Sequence, residues 1–149
     1  LDDERLRKEY KVAQTRYQVR FSYGVFEYCG KYLPKFYFSV RIYDPQRQEF
    51  VPVEDFEPWL EMGGHSILIS KEERPLEQRI FRHLHAFIPS ADPGKFSFPY
   101  DHHLPPLVEG KYKIWGQFKH RGQVITSHFV FDYLEPESDL TRDSLMCFD

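Results

Sequence analysis

The sequence is poor in several features that mark common classes of protein. It has two cysteines, too few for a disulfide framework or a zinc ribbon. No apolar run reaches the roughly 18 residues that a transmembrane helix needs, so we expect no membrane-spanning segment. Acidic residues outnumber basic ones by 23 to 20, and the formal net charge is −3. This lack of a basic excess argues against nucleic acid as a partner.

Motifs for nucleotide binding and nucleophilic catalysis are also missing. The chain has no G-x-x-x-x-G-K-[ST] loop and no G-x-G-x-x-G turn to hold phosphates. It has no G-x-S-x-G nucleophile elbow either. Ser66 directly follows His65, but adjacency in sequence does not make a catalytic pair. We therefore expect a protein that is not an enzyme.

Alanine, the best helix former, is scarce, whereas aromatic residues are abundant. The three alanines are Ala13, Ala86 and Ala91, against 14 phenylalanines and 10 tyrosines. Aromatic residues favour strands, and 11 prolines and 8 glycines provide turns between them. At 149 residues the chain is long enough for one domain with a substantial core. We predict an all-β domain.

Alternation of apolar and polar residues locates the strands. Apolar side chains recur at every second position through 17–23 and again through 36–42, as in half-buried strands. Further strands are predicted at 50–53, 65–70, 80–88, 96–98, 111–119 and 123–133. Seven or eight strands with no intervening helices predict a single antiparallel β-sandwich, Ig-like or cupredoxin-like. Turns are expected between Gly30 and Pro34 and at His120-Arg121-Gly122, which would leave His120 exposed.

The two ends of the chain differ in composition from the middle. Within the segment 1–14, acidic residues precede basic ones over 1–11, which favours a short N-terminal helix, with a frayed tail as the alternative. We assign 15–134 to the sandwich and 135–149 to an acidic C-terminal tail with at most a helical turn.

Histidines provide the candidate site. His83 and His85 are two residues apart on a predicted strand, so both imidazoles lie on one face, about 6–7 Å apart. His65 opens the preceding strand, and antiparallel pairing would place it nearer His85 than His83. Met62 would add a thioether. Imidazoles with a thioether suit copper, and three imidazoles suit zinc or copper.

Each histidine also has a simpler interpretation. An H-x-H pair on a strand can be two hydrogen-bonded boundary residues with no ion. His128 lies within a predicted strand, either as a fourth ligand or as a half-buried structural histidine. His102 and His103 lie in a proline-rich loop, where we expect them to be solvated.

The aromatic residues are interpreted in two ways. The pairs Phe36/Phe38, Phe96/Phe98 and Phe129/Phe131 have strand spacing and are expected to form the core rather than a base-stacking surface. Other aromatics, if exposed, would anchor a partner protein, and these are Tyr28, Tyr32, Tyr37, Tyr43 and Trp59. The alternative function is therefore a metal-free protein–protein interaction domain, such as a secreted factor.

Three segments resemble a group of bacterial extracytoplasmic β-sandwich domains, the YtkA-like and related cupredoxin-like domains. The similarity covers roughly residues 36–133. Its matching residues are Leu60, Gly64 and His65; His83, Leu84 and His85; and Gly110, Tyr112, Trp115, Gln117, Phe118, Gly122, Val124, Thr126 and Phe129. The chain departs from the pattern at Pro89, which comes later than expected, and at His128, where a small residue is usual.

The resemblance implies an exported, non-enzymatic sandwich that handles a metal. Its location would be extracytoplasmic, in the periplasm, at the cell surface or secreted. The cysteines leave two alternatives, which are free thiols at Cys29 and Cys147 or a bridge between them. Export would allow such a bridge to persist.

Overall fold

The computed structural model describes residues 16–58, 64–71, 79–86 and 93–135, together with the backbone of 9–11. No helix occurs among these residues, and they therefore contain no candidate for a membrane-spanning helix. The strands are β1 (Glu9–Lys11), β2 (Tyr17–Tyr28), β3 (Lys31–Asp44), β4 (Glu49–Pro52), β5 (Phe56–Glu57), β6 (Gly64–Ser70), β7 (Phe81–Ala86), β8 (Lys95–Pro99), β9 (Gly110–His120) and β10 (Gln123–Tyr133).

The strands form two antiparallel sheets. The first has the order β1-β2-β3-β4, with β8 also pairing with β3. The second has the order β10-β9-β6-β7, with β5 also pairing with β9. The predicted all-β antiparallel sandwich is confirmed. All eight predicted strands are present, and the short strands β1 and β5 are additional.

Aromatic rings fill the space between the sheets. Phe21 and Phe38 of the first sheet contact Phe129 of the second, with ring centroids 5.5 and 5.9 Å apart. Phe131 lies 5.0 Å from Phe21, and Phe118 lies 5.5 Å from Phe38. The three predicted core pairs are buried at all six positions. Their alternation with polar residues thus reflects packing within the sandwich.

Small residues in the second sheet make room for these rings. Ser66, Gly116 and Ser127 are neighbours across β6, β9 and β10, and all three are buried. A Cβ atom added to Gly116 would lie 2.9 Å from Cε1 of Phe38, closer than two carbon atoms approach without a shift. The glycine therefore lets the Phe38 ring reach the backbone of β9.

Two hairpins have tighter turns than predicted. Cys29-Gly30 joins β2 to β3, and Arg121-Gly122 joins β9 to β10, with positive φ angles at all four residues. This combination is typical of two-residue type I′ turns. The turn predicted between Gly30 and Pro34 is wrong, because Pro34 lies in β3. The three-residue turn predicted after β9 is also wrong, because its first residue belongs to the strand.

The chain ends are only partly described. Residues 9–11 form β1 and pair with β2, so neither the predicted helix nor a frayed tail describes these three positions. The rest of 1–14 and nearly all of the acidic tail lie outside the described residues. Cys29 is disulfide-bonded. Cys147 is the other cysteine in the sequence and lies outside the described residues.

Candidate metal centre

His65, His83 and His85 meet on the outer face of the second sheet. The strands β6 and β7 are antiparallel neighbours, with His65 directly opposite His85 and Ile67 opposite His83. The alternating residues Ser66, Leu84 and Ala86 are buried. Strand alternation therefore turns the three imidazoles outward, and the register agrees with the predicted placement of His65 beside His85.

The three rings are close enough for their nitrogens to share one ion. Ring centroids are 4.4 Å apart for His83–His85, 5.0 Å for His65–His85 and 5.4 Å for His65–His83. One nitrogen from each ring lies within 4.8 Å of the other two. The shortest separation joins Nδ1 of His65 to Nε2 of His83, at 3.3 Å. Two nitrogens bound tetrahedrally at about 2.0–2.1 Å from an ion are themselves about 3.3 Å apart.

The three histidines of the cluster differ in how far they are buried. His65 is 9% exposed, His85 is half-buried and His83 is exposed. Burial lowers the pKa of His85, and the neighbouring His83 and His65 lower it further. A lowered pKa favours the neutral imidazole, which is the form that binds a metal. The cluster is thus anchored on the β6 side and open to solvent on the β7 side.

Gly64 directly precedes His65 at a point where β6 packs closely against β9. A Cβ atom at this position would lie 3.0 Å from the backbone oxygen of Gln117 and 3.0 Å from Cδ1 of Phe118. The glycine thus permits close approach of β6 to β9 at the residue before His65. It was singled out in the sequence as part of the Gly-His match.

A groove of about 350 Å³ runs beside the cluster on the same face. Its lining is mostly apolar and consists of His65, Ser66, Ile67, Ile69, Phe81, His83, Trp115, Gln117 and Thr126. Nζ of Lys113 lies 4.6 Å from the centroid of the Trp115 ring. Phe81 lies two residues before His83 on β7, on the same face as the histidine pair, and the sequence pattern alone did not predict this groove.

The other two predicted ligands are not part of the described cluster. Met62 lies outside the described residues. His128 lies on the same face as the cluster, but Trp115 and Ile67 lie between it and His83 in the register. Three strand spacings amount to about 14 Å. The structure therefore does not bring His128 to the three imidazoles.

A second group of potential ligands lies in the loop after β8. Asp101, His102 and His103 each offer an atom within 4.8 Å of the others. The backbone N–H and Nδ1–H of His103 both donate to Oδ1 of Asp101, at 2.9 Å each. These bonds are the main reason that the pKa of Asp101 is lowered. An Asx turn between consecutive residues accounts for this geometry without an ion.

The prediction that His120 is exposed is wrong. It ends β9 on the inward face and is fully buried. Its Nε2–H donates to Oδ1 of Asp55 at 2.7 Å, and its Nδ1 is hydrogen-bonded to the Tyr17 hydroxyl at 2.7 Å. The pKa of Asp55 is lowered, chiefly by this hydrogen bond, and burial raises the pKa of Tyr17.

The sequence pattern does indicate that His120 is buried. His120 continues the inward series of Ile114, Gly116 and Phe118, so a two-residue turn would have placed it in the core.

The predicted aromatic anchors are dispersed. Tyr37 and Tyr43 are each 40% exposed on the first sheet. Tyr28 packs its ring against His102, with centroids 4.3 Å apart, and Tyr32 is half-buried. Trp59 lies outside the described residues.

Comparison with known proteins assigns the chain to a family. No curated protein and no solved structure matches it significantly. A family model described as a domain of unknown function, DUF8832, matches residues 35–134. The match begins in β3 and ends just after β10, so it includes all three histidines of the cluster. The chain belongs to the DUF8832 family.

Proposed function

We propose that this chain is an exported, non-enzymatic β-sandwich module that binds one copper or zinc ion through His65, His83 and His85. The observation that carries the proposal is the convergence of three imidazole nitrogens within 4.8 Å. These nitrogens come from two adjacent strands and are separated by up to 20 residues in the sequence. A shared position on one sheet face is what a metal site requires.

The donor set supports zinc(II) or copper(II). Both ions accept neutral imidazole nitrogens, and zinc sites with three protein ligands leave a fourth position for an exogenous group. The 3.3 Å separation between His65 and His83 matches the spacing of two ligands on one ion. The same two nitrogens are also at hydrogen-bonding distance from each other.

Export is supported by two independent features. One is the resemblance to extracytoplasmic sandwich domains in the Gly-His, His-x-His and C-terminal segments. The other is the disulfide-bonded state of Cys29, because disulfides persist mainly in oxidising compartments. A binding role rather than catalysis is supported by the absence of a nucleophile motif from the sequence.

Isothermal titration of metal-free protein with zinc and with copper tests the proposal. We expect one ion per chain. The substitutions His83→Ala and His85→Ala should each weaken binding by more than the roughly 10–100-fold lost when an outer-shell partner of a ligand is removed. His128→Ala is the matched control, since it removes an imidazole from the same face outside the cluster.

Two results would overturn the proposal. One is an absence of stoichiometric binding of either metal to the wild-type chain. The other is equal metal affinity in the wild type and in the His83→Ala, His85→Ala double variant. Either result would assign the three imidazoles a purely structural role.

A second candidate function is metal-free binding of a partner protein. It is favoured by Tyr37 and Tyr43, large aromatic side chains that remain 40% exposed. Tyrosine is enriched at interface hot spots. The double substitution Tyr37→Ala, Tyr43→Ala would remove partner binding and leave metal affinity unchanged, whereas the histidine variants would do the opposite.

A further inference from the structure

The groove beside the histidines has the size and lining of a small-molecule site. Its volume of about 350 Å³ falls within the range typical of ligand pockets. Ile67 and Phe81 remain 37% and 59% exposed, although both are large apolar side chains. They lie on adjacent strands beside His83, which lines the groove itself. An occupant of the groove would therefore contact both apolar surface and the metal ligands.

Charge determines what kind of occupant fits. Three neutral imidazoles leave the full 2+ charge of a bound ion uncompensated. No aspartate or glutamate lines the groove in the part of the chain that the structure describes. Nζ of Lys113 lies 4.6 Å from the ring of Trp115, which lines the groove, and it adds a further positive charge beside it. Partly desolvated positive charge attracts an anion.

We propose that the groove binds a small organic anion whose carboxylate completes the metal coordination and whose apolar body lies against Ile67, Phe81 and Trp115. This inference rests on the proposed function, because the metal supplies the attraction for the carboxylate. The ion occupies one end of the site and the apolar groove the other. Neither end alone would retain such a ligand tightly.

The apolar half contributes through burial. A phenyl or alkyl group that covers Phe81 and Ile67 removes apolar surface from water on both partners, which favours binding. The Trp115 indole offers a flat ring for stacking. Acetate would gain only the metal contact, and an uncharged phenyl compound would gain only the groove contact.

Trp115 fluorescence provides the measurement. The Trp59→Phe variant leaves Trp115 as the one tryptophan in the chain. With this variant loaded with zinc, we expect 4-phenylbutyrate to bind at least about tenfold more tightly than either acetate or 4-phenylbutanol. Without zinc, the affinity for 4-phenylbutyrate should fall at least about tenfold, because the carboxylate loses its partner.

A pair of matched variants tests the location. Phe81→Ala should weaken 4-phenylbutyrate binding by about fivefold and leave zinc affinity unchanged, because Phe81 lines the groove and is not one of the proposed ligands. Tyr37→Ala removes another exposed ring, which lies on the opposite sheet. In the Trp59→Phe background, this variant should bind 4-phenylbutyrate with unchanged affinity.

The two proposals fail in different ways. If zinc itself does not bind, the proposed function fails. If zinc binds but 4-phenylbutyrate shows no preference over acetate and 4-phenylbutanol, the ligand inference alone is overturned. Equal binding of 4-phenylbutyrate with and without zinc would also overturn it, as would an unchanged affinity in Phe81→Ala.

Discussion

At the scale of single residues, identical side chains have very different roles in this molecule. His83 is exposed among other imidazoles, whereas His120 is fully buried between a phenol and a carboxylate. Strand parity decides between these two environments. His83 lies at an outward position of β7, and His120 lies at an inward position of β9. Residue type alone does not distinguish them.

Replacing His120 should destabilise the fold. His120→Ala would create a cavity and leave the Tyr17 hydroxyl without its hydrogen-bond partner, at a combined cost of about 3 kcal/mol in the free energy of unfolding. Tyr17→Phe should cost about 1 kcal/mol, because only the hydrogen bond is lost. Chemical denaturation gives both values. A loss below about 0.5 kcal/mol for His120→Ala, equal to that of the exposed His128→Ala, would contradict this account.

The Asp55–His120 hydrogen bond should make stability depend on pH in the acid range. Because the folded protein lowers the pKa of Asp55, its stabilisation is present above the ordinary carboxyl pKa of about 4. It is lost as the pH falls through the lower, folded pKa. The difference in Tm between the wild type and Asp55→Asn should therefore be larger at pH 7 than at pH 2.5. The effect is small because Asp55 is 63% exposed, and a difference independent of pH would refute the assignment.

At the scale of strands, the sequence predicts most of the architecture and the core of the candidate site. Period-two alternation located β2, β3 and β6–β10, since each has one face toward the aromatic core. The same alternation put His83 and His85 on one face, and adjacency in sequence paired β6 with β7.

Turn geometry and tertiary contacts were not predictable in this way. The turn after β9 was predicted to have three residues, but it has two. This difference of one residue led to the wrong prediction that His120 is exposed. Asp55 was missed because it comes from a segment 65 residues away. The distance of His128 from the cluster depends on the order β10-β9-β6-β7, which the sequence pattern does not specify.

The row of small residues across β6, β9 and β10 gives a prediction at this scale. Gly116→Ala should cost about 1–3 kcal/mol, because its Cβ would press on the Phe38 ring. Ser127→Ala should be neutral or stabilising, because the buried Ser127 hydroxyl has no hydrogen-bond partner within the described residues. Urea denaturation of the two variants gives the comparison. Equal stability of Gly116→Ala and the wild type would show that the sheets tolerate a larger separation.

At the scale of the whole molecule, aromatic packing joins the two sheets of the sandwich, and Cys29 in the β2–β3 turn is disulfide-bonded. Cys29→Ser should lower the free energy of unfolding by about 2–5 kcal/mol. Thermal unfolding with and without reductant measures the effect. Two free thiols in non-reduced protein, detected by mass spectrometry, would contradict the disulfide.

The candidate metal centre lies on the outer face of the second sheet. X-ray absorption spectroscopy of the zinc-loaded protein tests this centre most directly. The account predicts three imidazole nitrogens at about 2.0–2.1 Å from the ion, with a solvent oxygen as the fourth ligand. In the His83→Ala, His85→Ala double variant this spectrum should be lost. A wild-type spectrum with fewer than three imidazoles, or one that the double variant reproduces, would contradict the account.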